Sequence, residues 1–400
     1  MAQQTVRALV KPDILIWARE TAGFGVSEVA AASGLSKVAD WESGTTKPTI
    51  NQLRTLAQKY KRPLSVFYLQ ERPVGFQVIR DFRRFAGTAP PQLSPKLTLA
   101  IRAAQERREL ALELLDSMGE SPKELSLIAH LDENPEEVGA KARALLKVTE
   151  ATQRGWRNTR EAFNGWRAAI EALDVLVFQL DKIEPDEASG FAINGGAVPV
   201  IAVNRSDVPA RRVFTLLHEF AHLLVQSSGI SEYYMDVFRP PEEQRIEIWC
   251  NAVAAATVLP SAMFLSDEVV RAHDRNTHHW SNEEIEAIAS SFCTSRIVIV
   301  RRLLTLGLTD QTFYKSKEAQ YATEYRKERA KQKAQNKEKE FKGRNMPNEA
   351  FSLLGRNFVQ LVLAPYHSDR ITLRDVSAYL GLKTKHIPNV EYALRAKAVS

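Results

Sequence analysis

The sequence predicts a predominantly helical, multidomain protein, and three observations carry that reading. Its 400 residues exceed one ordinary domain. Hydrophobic residues make up 44%, enough for sizeable cores. Apolar positions recur mostly at helical spacing, with two short runs that read as strands.

Residues 12–70 read as a compact helical block. "KPDILIWARETAG" places Ile14, Leu15, Trp17 and Ala18 ahead of a stop at Gly23. "VSEVAAASGLSKVADWESG" gives two short helices around Gly34, ending at Gly44. "KPTINQLRTLAQKY" carries Ile50, Leu53, Leu56 and Ala57 at helical spacing, and "RPLSVFYL" seals the block. The Pro- and Gly-bearing stretch 71–95 reads as a linker. "KLTLAIRAAQERRELALELLDSMG" is a long amphipathic helix. Asn134-Pro135-Glu136-Glu137 starts another, with proline in the first turn and acids at the positive end of the dipole. "TREAFNGWRAAIEALD" leads into a strand at 175–180, and 195–204 is the second strand candidate.

"VPARRVFTLLHEFAHLLVQSSG" is apolar over most of its surface, so it should be buried. "QRIEIWCNAVAAATVLP" is another apolar helix, stopped by Pro260. Two more helices follow before Gly307. Residues 326–344 hold nine Lys/Arg and three Glu, which reads as a solvated helix or a flexible linker rather than a nucleic-acid arm. The tail recovers helical periodicity. There Ser377, Leu380, Gly381, Leu382 and Ile387 fall at helix-turn-helix offsets, a pattern that a generic helical hairpin also produces.

A net charge of +6 is mild for this length. Two cysteines rule out a disulfide framework and point to a reducing cytoplasm. No apolar run is long enough to span a bilayer, and the N-terminal stretch has no secretory pattern, so no membrane role is expected.

His218, Glu219 and His222 spell His-Glu-x-x-His. Side chains at i and i+4 lie on one helix face about 5–6 Å apart. Two imidazoles so placed can each give a nitrogen to one Zn²⁺ at about 2.0–2.1 Å. Glu219, offset from both, can reach a metal-bound water and act as general base. Two histidines also meet at this spacing by chance on helix surfaces. Inside an apolar helix, however, such groups are costly to bury without a partner. A third ligand is needed, and Glu247 lies just ahead of the second buried run, with Glu243 and Cys250 as competitors. Tyr233, Tyr234 and His273 could donate to an oxyanion, although each also reads as a plain surface residue. His278 and His279 are adjacent, so they point apart and read as solvent-exposed.

"FTLLHEFAHLLV" followed by "EIWCNAVAAATVLPS" resembles the zinc peptidase domain of the ImmA/IrrE family, over roughly residues 160–310. The resemblance implies an α+β zincin-like domain with a small sheet. It also implies His218, His222 and Glu247 as Zn²⁺ ligands and Glu219 as general base. The family's implied role is to cleave or inactivate regulatory proteins, often repressors. A substrate strand is expected to pair beside 197–204.

Trp41-Glu42-Ser43-Gly44, Lys47-Pro48-Thr49, Leu53, Leu56-Ala57 and Arg62-Pro63 with Phe67 resemble the helix-turn-helix domains of the Cro/repressor (XRE) class. That implies a third helix in the DNA major groove, here "SKVADW", with Ser36, Lys37 and Asp40 facing DNA, the last unfavourably placed against phosphate, and Lys47 near phosphate. Trp41 arrives early for this class, so the reading helix is about two residues short.

The expected domains are an XRE-like unit at 1–75, a linker and helical region at 76–155, a metallopeptidase domain at 156–315, a basic linker at 316–345 and a C-terminal helical unit at 346–400. The expected function is a regulatory zinc metallopeptidase joined to a DNA-binding-type domain. The alternative is a non-proteolytic DNA-binding regulator or antitoxin whose metal domain senses or scaffolds. Expected partners are DNA, a regulatory protein substrate or co-encoded toxin or repressor, and a second copy in a homodimer.

Overall fold

The structure, a computed structural model, describes residues 6–73, 80–81, 93–227, 229–231, 241–274, 277–339 and 345–396. Most of the expected linker at 71–95, Tyr233, Tyr234 and residues 340–344 of the basic run lie outside these described residues. The chain divides into two compact units. One is Met1–Val78 with Pro90–Glu106, and the other is Ile79–Ala89 with Arg107–Ser400. Both are mostly helical, and the second holds a small sheet. Among the described residues no helix is long and apolar enough to cross a membrane.

The first unit packs helices Pro12–Glu20, Val26–Ala30, Val38–Glu42 and Ile50–Lys59 with a short turn at Leu64–Tyr68. Two of the starts have a local cause. Pro12 opens the first helix, where its missing N–H costs nothing. Thr49 and Gln52 form a reciprocal capping box on the fourth. Leu15, Ala18, Val29, Val38, Trp41, Leu53, Leu56, Tyr60 and Phe67 make one core. Within that unit Arg19 binds both carboxylate oxygens of Glu42 at 2.8 and 3.1 Å, tying the first helix to the third. Gly23 is in the left-handed region (φ 77°), and a Cβ there would sit 2.7 Å from Thr98 Oγ1. The turn and the close approach therefore both need glycine.

The second unit centres on five strands: β1 (Arg80–Asp81), β2 (Leu176–Leu180), β3 (Gly190–Ile193), β4 (Val200–Asn204) and β5 (Gly229–Ser231). Their order is β1-β5-β3-β4-β2. Sequence reasoning found β2 and β4 and missed β3. It also began β4 too early, because 194–199 is a loop held by Arg108, whose guanidinium donates to the carbonyls of Gly195, Ala197 and Val198. A further correction concerns substrate pairing. β4 is internal, parallel to β2 from Leu176↔Val200 to Leu180↔Asn204 and antiparallel to β3 from Gly190↔Val203 to Ile193↔Val200. Its backbone is thus committed on both edges, and no substrate strand can add beside it.

Both faces of the sheet are covered. Val177, Ala192, Ile201 and Val203 face a core shared with helices Thr159–Glu171 and Pro209–Leu224. On the opposite face Phe178 meets Phe358 of helix Arg356–His367 edge-on, with centroids 5.5 Å apart. The tail, expected as its own unit, falls in the second compact unit. Helix Met346–Leu354 docks on β2, with Gln179 donating to Ser352 O at 2.7 Å and Arg205 pairing with Glu349 at 2.7 Å.

The basic stretch is helical too, as part of helix Gln311–Lys339. Tyrosines ahead of the charge run anchor the N-terminal half of that helix on one face, and the basic residues Arg326, Lys327 and Lys331 are exposed, as a solvated helix requires. Arg301 lies over Tyr314, Arg296 over Tyr321 and Arg211 over Tyr325, and the Tyr325 hydroxyl donates to Asp207 at 2.8 Å.

Candidate metal centre

Two helices build the site. Helix Pro209–Leu224 starts at a proline after extended Val208, and every residue from Val213 to Leu224 is buried. It lies between β3 and β4, helix Thr159–Glu171 and helix Pro241–Val258. It ends where Ser227 N–H donates back to His222 O at 2.8 Å. Helix Pro241–Val258 is buried along most of its length. Helix Pro135–Leu145 crosses it closely at Gly139, where a Cβ would come 2.5 Å from Ala256 Cβ. Trp249 Nε1 donates to Glu133 O at 3.1 Å on the same side.

His218, His222 and Glu247 place one donor atom each within 4.8 Å of the others, and all three are buried. His218 Nε2 is 3.1 Å from His222 Nε2, which is 3.1 Å from Glu247 Oε1. His218 Nε2 is 3.6 Å from Glu247 Oε2. A tetrahedral ion with bonds of about 2.0–2.1 Å sets its donors about 3.3 Å apart, so two imidazole nitrogens and a carboxylate at these separations suit one shared ion. The chemistry agrees, since two neutral imidazoles and one carboxylate bind a divalent cation while keeping a fourth direction open. His218 and Glu247 are 5% exposed and His222 is 0% exposed. A carboxylate so buried needs a positive partner, which a divalent ion provides.

Glu219 stands beside this group and outside it. It is fully buried, and its carboxylate lies against the backbone of β3. A Cβ on Gly190 would come 2.9 Å from Glu219 Oε1, 2.9 Å from Thr215 Cγ2 and 2.8 Å from Ala202 O. Gly190 therefore makes the room that Glu219 occupies. Sequence reasoning missed it. The only local signal was a glycine heading a short apolar run, "GFAI", too brief for periodicity to identify.

The competitors for the third ligand fall away. Glu243 is half-buried and outside the donor group, and the fully buried Cys250 is outside it too. Burial, then the nearby Glu247 and Glu219 carboxylates, pushes the Cys250 thiol well above its ordinary value, so it is a poor thiolate ligand. His273 stacks on Trp280 with centroids 3.5 Å apart, and its Nδ1 is 2.8 Å from Glu284 Oε1, which gives it a packing role. His278 and His279 are exposed. Asn204, which closes β4, donates to the carbonyls of Ile183 and Ala188 and so holds the loop before β3.

The three residues expected to read DNA are all exposed in the first unit. Ser36 and Lys37 precede the five-residue helix Val38–Glu42, and Lys47 lies in the loop after it. Arg7 Nη1 donates to the Lys47 carbonyl at 2.8 Å. Asp40 is half-buried.

Comparison with curated proteins and with solved structures gave no match. Residues 170–304, which contain both site helices and β2 to β5, match a protein-family model, Peptidase_M78, described as the IrrE N-terminal-like domain.

Proposed function

We propose that the second unit is a zinc-dependent peptidase acting on a regulatory protein such as a repressor or toxin, in the cytoplasm, and that the first unit binds DNA through Ser36, Lys37 and Lys47. The observation that carries the peptidase reading is the convergence of His218, His222 and Glu247 beside the buried Glu219. The match of residues 170–304 to a peptidase family supports it.

His218, His222 and Glu247 would hold the zinc, which would supply Lewis acidity to polarise a scissile carbonyl and to lower the pKa of water to about 7. The chain's own residues do the rest. Glu219 accepts a proton at its carboxylate as water attacks, and later gives it to the leaving amine nitrogen. Gly190 leaves the space in which that carboxylate sits. The test is Glu219→Gln, which keeps the three donors. New protein N-termini found in cells with the wild-type chain should vanish with this variant, while zinc content stays the same. Identical N-terminal profiles would defeat the proposal.

One observation favours a second reading. β4 is paired on both edges, so the pairing site expected for a substrate is closed. A DNA-binding regulator or antitoxin with a metal-sensing domain fits that closure. Zinc removal would then change DNA affinity, with no cleavage in either state.

A further inference from the structure

The tail holds a second hairpin that the peptidase reading does not use. Helix Arg356–His367 packs on helix Leu373–Leu380 and on a second helical segment, a single turn at Thr384–His386 running into Ile387–Ala396. The first helix of the hairpin has a deliberate start, a capping box in which Thr372 and Asp375 exchange hydrogen bonds. It has an equally deliberate stop. Gly381 adopts the left-handed conformation (φ 64°, ψ 27°), and Leu382 N–H returns to Ser377 O at 3.0 Å. Phe358, Val359, Val362, Leu363, Val376, Leu380, Leu382, Ile387 and Val390 are buried, which gives the three helices an apolar centre.

The second segment buries Ile387 and Val390 and turns the opposite face outward. Lys385, Asn389 and Tyr392 follow one another at i, i+4 and i+7, so they share that outer face. All three are exposed, Tyr392 by 77%. Lys383 and Thr384 lead into the face, and Arg395 flanks it. Arg370 and Arg374 are exposed around the start of the first helix. Residues 369–396 hold five Lys/Arg and three Asp/Glu. Two of those acids are occupied, Asp375 by the capping box and Glu391 by His367 Nε2 at 2.7 Å. The outward charge is therefore positive, with an amide and an aromatic ring in its middle.

We propose that residues 370–395 form a second helix-turn-helix that docks duplex DNA, with the segment from Thr384 in the major groove. The groove is about 12 Å wide and admits one helix. In this geometry the leading residues of the second helix reach base edges, and the first helix sits on the backbone. Lys385 suits guanine O6/N7 and Asn389 suits adenine N6/N7. Arg370 and Arg374 hold phosphates. The N-terminus of helix Met346–Leu354 borders the same side, since Asn345 and Asn348 line a concavity with Asn389 and Tyr392, and its dipole also favours a phosphate. The proposal does not depend on the metal centre or on the first unit.

The experiment uses the full chain carrying Lys37→Ala and Lys47→Ala, which silences the first unit's expected contacts. A labelled random-sequence duplex of about two helical turns is titrated by fluorescence anisotropy between about 50 and 200 mM salt. Adding Lys385→Ala and Arg374→Ala should weaken binding by about tenfold or more and make the log–log salt slope shallower by about 1, from the lost Arg374 phosphate contact. Lys385→Arg should keep the binding, and an unchanged melting temperature in every variant should show that the surface alone was altered. Three results would overturn the proposal: no binding before the tail is changed, equal affinity and slope after it, or equal competition by single-stranded RNA of the same length.

Discussion

The candidate metal centre and the surface around helix Val38–Glu42 put polar side chains into opposite environments. His218, Glu219, His222 and Glu247 are buried on helices of 16 and 18 residues. Ser36, Lys37 and Lys47 are exposed around a helix of five. Water satisfies an exposed lysine at no cost, so its presence says little about purpose. A buried carboxylate among imidazoles loses several kcal/mol of hydration and must recover it from a partner. The difference teaches that chemistry is most readable where desolvation makes it expensive.

The largest effect that would sharpen this contrast is loss of a donor. Glu247→Ala should weaken metal binding by more than about 100-fold, measured as metal content after dialysis. Retained metal would break the comparison, because burial would then have marked packing only. Gly190→Ala is the next test. Its new Cβ collides with Glu219 Oε1, Thr215 and the Ala202 carbonyl, so the chain should hold its metal while turnover falls about 100-fold. Equal losses of metal and turnover would instead mean that the fold had failed.

A smaller effect comes from scaffold behind the site. Arg302 is buried and pairs through both guanidinium nitrogens with Glu136, at 2.7 Å for Nη2. Burial raises the Glu136 pKa, but the Arg302 hydrogen bonds and charge outweigh it, so the carboxyl titrates below its ordinary 4.5. Glu136→Gln leaves a buried guanidinium without its charge partner and should cost about 2 kcal/mol in urea unfolding at pH 7. Because the folded pKa is depressed, that contribution is present above pH 4.5 and disappears as pH falls through the lower folded value. Wild type and variant should therefore converge in stability below that pH. The smallest effect belongs to the exposed set. Lys47→Ala should reduce the salt slope of DNA binding by about 1, and Lys37→Ala should weaken binding to some sequences more than others, with no change in melting temperature for either.

Much of the candidate site was legible in the sequence. His218 and His222 are one helical turn apart, and that distance follows from the helix alone. Glu247 emerged because an acid heading a buried helix is conspicuous. β3 was not legible, because four residues are too few to show alternation. Nor was its glycine, whose role exists only once Glu219 lies against it. The anchoring of the basic helix was not legible, because Tyr314, Tyr321 and Tyr325 lie ahead of the charge run and meet arginines distant in sequence.

The sequence by itself determined which stretches coil into helices, where caps and prolines start them, and that one buried helix carries two imidazoles on one face. These are local properties, written within a few turns of chain. Only the tertiary structure decided that Glu247, 25 residues beyond His222, comes within 3.1 Å of it. The same holds for the closure of β4 on both edges and the docking of the tail against β2. Those arrangements come from burying apolar faces that are distant in sequence against one another, and no short window of residues records which faces will meet.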